Sequence, residues 1–200
     1  WFSPDGREWE LRSAQTQPAD NRGDEVDIFH TGGDDFMVFH RDRRQQTTWR
    51  VRTADAGRTW TEREDLGSQV EILQRPFLTR LTDSLVLLSG RDRKRALVVV
   101  YVSRNGGATF GERHVIDSYS ADGAYTSAVR LNDRQALLVY YGDRADSHEE
   151  WVDVPKSILT GVVTFDHRDR HHFVESGGRD GGVDHGDRDR GVERRGVKQS

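Results

Sequence analysis

The chain holds no cysteine and a single methionine in 200 residues. Without cysteine there can be no disulfide, no thiol catalysis and no cysteine-ligated zinc, although an extracellular location stays open. No apolar run approaches the roughly 20 residues of a membrane-spanning helix. No stretch holds a helical period, and neither a phosphate-binding glycine loop nor a serine-hydrolase elbow occurs. No charged n-region followed by an apolar h-region opens the chain, which starts at Trp1 in mid-unit, so this absence carries no information. The 30 basic and 34 acidic residues leave a net charge of −4, and with 32% charged residues the chain reads as soluble. The Asp/Arg alternation near the C-terminus almost cancels, which argues against a nucleic-acid footprint.

What the chain does have is a motif at a fixed interval. Thr53-Ala54-Asp55-Ala56-Gly57-Arg58-Thr59-Trp60 and Ser103-Arg104-Asn105-Gly106-Gly107-Ala108-Thr109-Phe110 share hydroxyl, any, Asp/Asn, any, Gly, any, Thr, aromatic. Ser3-Pro4-Asp5-Gly6-Arg7-Glu8-Trp9 is a shorter third copy. The acid or amide stands at 5, 55 and 105, a period of 50 residues. Such a period marks a repeat architecture, with propeller blades as first candidate. Each motif suits a hairpin turn. Asp5, Asp55 or Asn105 closes it on backbone N–H groups, Gly57 and Gly107 supply a positive φ, and Trp9, Trp60 or Phe110 packs between layers.

These motifs resemble the Asp-box (BNR) repeats of the sialidase, or neuraminidase, superfamily, whose fold is a six-bladed β-propeller. Ser3, Asp5 and Trp9, then Thr53, Asp55, Gly57 and Trp60, then Ser103, Asn105, Gly107 and Phe110 are the structural positions. The expected fold is therefore all-β, a partial sialidase-type propeller of three to four blades. At about 50 residues per blade the chain makes at most four, where closed propellers have four to eight, so it reads as a fragment. Strand-like segments cover 35–40, 47–52, 76–81, 85–89, 96–102, 125–131, 136–141 and 157–165. The propeller fragment is expected over residues 1–166 and a disordered, low-complexity tail over 167–200, because the tail has too little apolar area to offset its ordering entropy. His167, Asp169, His171 and His172 form a weak His/Asp cluster at that border. No metal site and no cofactor is expected.

The resemblance also implies chemistry. In sialidases a tyrosine opening a strand is the nucleophile, activated by a glutamate, and three arginines clamp the substrate carboxylate. Tyr125 falls on the tyrosine position. Arg91 matches one clamp arginine, and the short interval to Tyr125 leaves open its alignment with the last of the three. Arg75 stands where the family has the glutamate, and Glu71 would need a register shift to replace it. Asp27 or Asp34 could be nominated as the acid/base aspartate, with nothing nearby to support either. Two functions follow. One is an exo-glycosidase acting on terminal sialic acid or a related acidic sugar, incomplete in this chain. The other is a non-catalytic Asp-box propeller that binds glycan or protein. Family resemblance alone suggests a secreted or periplasmic location.

Overall fold

A computed structural model describes residues 1–13, 23–42, 46–119, 123–143, 156–165 and 171–175. Among them no helix forms, so none is long and apolar enough to cross a membrane. Twelve strands build three four-stranded antiparallel sheets, each a simple meander in chain order. The first sheet is β1 (Gly23–Gly32), β2 (Asp35–Asp42), β3 (Thr47–Thr53) and β4 (Glu64–Asp65). The second is β5 (Gln74–Arg80), β6 (Val86–Asp92), β7 (Leu97–Ser103) and β8 (Glu112–Ser118). The third is β9 (Thr126–Asn132), β10 (Gln135–Asp143), β11 (Lys156–Phe165) and β12 (His171–Glu175). The first strands of the sheets meet, β1 against β5 and β5 against β9. Successive meanders joined at their inner strands are blades of a β-propeller.

The middle blade is covered on both faces, and its sequence reflects that. On β7, Val99 and Tyr101 join the core shared with the first blade, while Val98, Val100 and Val102 join the core shared with the third. A strand buried on both faces has no place for the polar alternation of a half-exposed one. The outer blades differ. On β1, Phe29 is buried between blades, but Val26 and Ile28 are 50% and 62% exposed on the other face. On β9, Val129 and Leu131 are 55% and 51% exposed. These strips are the open faces of an incomplete propeller. β12 carries the third sheet past the boundary expected at 166, because it pairs with β11 from Phe165↔His171 to Gly161↔Glu175. Residues 176–200 of the expected tail, like His167 and Asp169, lie outside the described residues.

The repeat turns sit between the third and fourth strands. Asp55 Oδ1 accepts the Arg58 and Thr59 N–H groups at 2.9 and 2.8 Å, and Thr53 Oγ1 accepts Gly57 N–H at 2.9 Å. Thr59 Oγ1 donates to Asp55 Oδ2 at 2.6 Å. At the next copy the direction reverses: Asn105 Nδ2 donates to Thr109 Oγ1 at 2.8 Å. A hydroxyl both donates and accepts, so the frame tolerates acid or amide. Gly57 and Gly107 take φ of +85° and +89°, and a Cβ on Gly107 would meet Met37 Cε at 3.1 Å. The shorter copy closes likewise, with Asp5 Oδ1 accepting from Arg7 N at 2.8 Å and Phe2 paired with Glu10. Phe110 is buried and packs edge-on against Phe39 at 5.9 Å. Trp60 N–H reaches Ser13 Oγ at 2.9 Å, whereas Trp9 is 59% exposed.

One buried cation pins the first two blades. Arg50, on β3, is fully buried, donates to the Gly107 and Ala108 carbonyls at 2.5 and 2.9 Å and pairs with Glu64 through its Nε and Nη2. Arg50→Leu is expected to cost about 3 kcal/mol, because it strands buried acceptors. For a chain of this size that lowers the Tm by about 6–12 °C in thermal melts. The Asp55 carboxyl is held well below its ordinary 3.8, chiefly by the Thr59 hydroxyl and N–H. A depressed carboxyl contributes stability above its ordinary value and loses it as pH falls through the folded value. Denaturant midpoints should therefore show wild type more stable than Asp55→Asn at neutral pH, with the gap closing in acid below 3.8.

Candidate active site

Strand direction decides which residues share a face. β1, β5 and β9 begin, and β2, β6 and β10 end, at the same end of their blades. β3 and β7 then run back and deliver the repeat turns to the opposite end. Tyr125, just before β9, and Arg91, on β6, therefore lie on one face, and the turns at 53–60 and 103–110 lie at the other end.

On that face the Tyr125 hydroxyl donates to Glu25 Oε1. Glu25 Oε2 accepts from Arg41 Nη1 at 2.9 Å and from the Arg75 backbone N–H at 2.8 Å. One carboxylate thus takes bonds from all three blades. Its environment is low in water: the Glu25 and Arg41 side chains are 15% and 7% exposed. Arg91 is also buried, with its guanidinium carbon 4.8 Å from the Tyr125 ring centroid. Gln74 Oε1 and the Gly123 carbonyl hold it at 2.5 and 3.0 Å. Tyr141 meets the Tyr125 ring edge-on at 5.8 Å.

The protonation of this pair follows from its surroundings. Burial works to raise the Glu25 carboxyl, but hydrogen bonds from Tyr125, the Arg75 N–H and Arg41 outweigh it, so it lies below the ordinary carboxyl range. Burial, then the Glu25 hydrogen bond and charge, push the Tyr125 phenol above its ordinary value. Glu25 is thus an ionised base touching a neutral phenol, the arrangement in which a base can take the proton as the oxygen becomes a nucleophile.

Among the described residues no carboxylate near position 75 reaches Tyr125. The carboxylate bonded to Tyr125 is Glu25, one repeat earlier, and Arg75 instead bonds it through its backbone N–H. To do so Arg75 adopts φ of +52°, inside the β5–β6 register break. A non-glycine residue pays about 1–2 kcal/mol for such a conformation, and a residue before proline is ordinarily extended. Glu71 takes no part, since its carboxylate is paired with Arg95. Arg91 is a buried strand residue on β6. Asp27 is half-buried, raised by burial, and accepts Leu78 N–H at 2.7 Å, which ties β1 to β5. Asp34 lies in the β1–β2 turn at the far end. Among the described residues no His/Asp/Glu group could hold a metal ion.

Glu25 lies on β1, where no strand was expected, and Arg41 just past the strand expected over 35–40. On β1 the apolar Val26 and Ile28 point outward while Glu25 and Asp27 point inward, the inverse of an ordinary half-buried strand. A usable signal was present: the 50-residue period extends well beyond the turns. Glu25, Arg75 and Tyr125 stand 50 apart, as do Arg41, Arg91 and Tyr141. Buried Asp42 paired with Arg63 recurs 50 residues on as Asp92 with Arg113.

No family model matches the chain, and no curated protein matches it. Among solved structures it is similar to a mutant of the NanB sialidase of Streptococcus pneumoniae, with 14% identity, TM-score 0.42, and cover of 68% of this chain and 21% of that one. The same sialidase bound to a chlorobenzyl-ammonio ethanesulfonate gives 13% identity, TM-score 0.41 and cover of 70% and 22%. The chain spans about a fifth of the length of these structures.

Phenolate absorbance should report the pair directly. In a spectrophotometric pH titration, the signal lost in Tyr125→Phe should titrate above the ordinary 10.0 in wild type and move down in Glu25→Gln.

Proposed function

We propose that these blades are the nucleophile-bearing part of a sialidase-type exo-glycosidase acting on terminal sialic acid or a related acidic sugar. The observation that carries this reading is the Tyr125 phenol bonded to the ionised Glu25 carboxylate beside Arg41 and Arg91. The repeat turns read as Asp-boxes, which agrees with it. An arginine at 75, where the sialidase family has a glutamate, speaks for a non-catalytic glycan- or protein-binding propeller. Glu25, bonded to the Tyr125 hydroxyl, supports the glycosidase reading instead.

The chemistry runs in two displacements. Tyr125 Oη bonds to the anomeric carbon as the glycosidic C–O bond breaks, and the phenol proton passes to Glu25 Oε1. The departing oxygen takes a proton from an acid. Water then cleaves the tyrosyl–sugar bond, its proton going to that same acid group, and Glu25 returns the phenol proton, so configuration is retained. A phenol is uncharged before attack and is not repelled by the sugar carboxylate. Arg41 and Arg91 receive that carboxylate, to which a guanidinium offers paired charge-assisted hydrogen bonds. The third clamp arginine and the acid/base aspartate would come from further blades of a longer polypeptide.

The test is turnover of a fluorogenic sialoside by the longest polypeptide that carries these blades. Glu25→Gln should lower kcat by about 10²–10⁴-fold, the usual range for a lost general base. Tyr125→Phe should block the covalent intermediate. Unchanged turnover in Tyr125→Phe, or none by the intact polypeptide on any sialoside, overturns the reading.

A further inference from the structure

The opposite end of the molecule holds a cleft of about 590 Å³ between the repeat turns of the first and second blades. Its floor is Met37, buried against the blade interface, and its walls carry Trp60 and Phe36. Both rings are held in place. Trp60 donates its N–H to Ser13 Oγ at 2.9 Å, and Phe36 lies 4.8 Å from the His30 ring. Arg50 fixes the separation of the two walls beneath, through its bonds to Gly107 and Ala108. The rim bears exposed Asp35 and partly exposed Arg52, whose ion contact with Glu64 is long at 3.7 Å. Thr61 lies beside Arg52, its hydroxyl accepting the Arg52 N–H at 3.0 Å.

We infer that this cleft is a binding site for a neutral oligosaccharide, separate from the Tyr125 face. The volume is that of a small-ligand site, where apolar and aromatic walls with a few polar groups fix orientation. A pyranose has an apolar C–H face that packs on an aromatic ring and a rim of hydroxyls that both donate and accept. Asp35 accepts from such hydroxyls and Arg52 donates to them. Charges of both signs at the rim favour neither an anionic nor a cationic ligand. The inference does not rest on the glycosidase reading, because the two faces share no residue.

Calorimetry with cellotetraose, maltotetraose and lacto-N-neotetraose tests it. At least one should bind saturably to wild type and about tenfold or more weakly to Trp60→Ala, the loss expected for a central aromatic contact. Asp35→Ala, a surface change that leaves the fold intact, should also weaken it, and Tyr125→Phe should bind as wild type does. The inference is overturned if none of the three binds, if Trp60→Ala and Asp35→Ala bind as wild type, or if Tyr125→Phe abolishes binding. A failed sialoside assay with intact tetrasaccharide binding would remove the enzyme reading alone.

Discussion

The Glu25 carboxylate is the point where the three blades become one site. It accepts from Arg41 of its own blade, from the Arg75 peptide of the second and from the Tyr125 phenol of the third. A half-buried carboxylate is costly without such partners. Each donor depends on its blade being docked correctly, so the pair reports the register of all three sheets. The positive φ at Arg75 is the local cost of aiming an N–H at this oxygen. The surrounding strands hold it there, as strain at functional positions generally requires.

One backbone frame repeats while its side chains diverge. The start of the inner strand holds Glu25, Arg75 and then Tyr125, and the end of the second strand holds Arg41, Arg91 and then Tyr141. In a propeller such equivalent positions converge on one axis, so a base, a cation and a phenol meet without any special loop. The positions that keep their residue type do structural work instead. Asp42 with Arg63, and Asp92 with Arg113, tie the second strand of a blade to its outer edge. The turn residues around Asp55 and Asn105 close hairpins and help to pin neighbouring blades through Arg50.

Much of this was legible beforehand. The repeat turns and most strands of the middle blade could be read from pattern, while only the family resemblance pointed to Tyr125 and Arg91. β1, β4, β8 and β12 could not. β4 has two residues, and β8 and β1 mix charged residues into their buried side, where the neighbouring blade supplies hydrogen-bond partners. Glu25 was hidden for that reason. Linear pattern shows which side chains are apolar, whereas a buried acid is acceptable only because of partners up to 100 residues away.

By itself the amino-acid order determined the unit: a turn that needs glycine at a left-handed position, strands of alternating or continuous apolarity, and a period of 50 residues. Those are local demands of backbone sterics and burial, and they repeat wherever the motif does. Only the tertiary structure decided that the carboxylate bonded to Tyr125 is Glu25 and not a residue near 75. A hydrogen bond between the first and third blades depends on how the sheets twist and pack around a common axis, and no local preference encodes that distance.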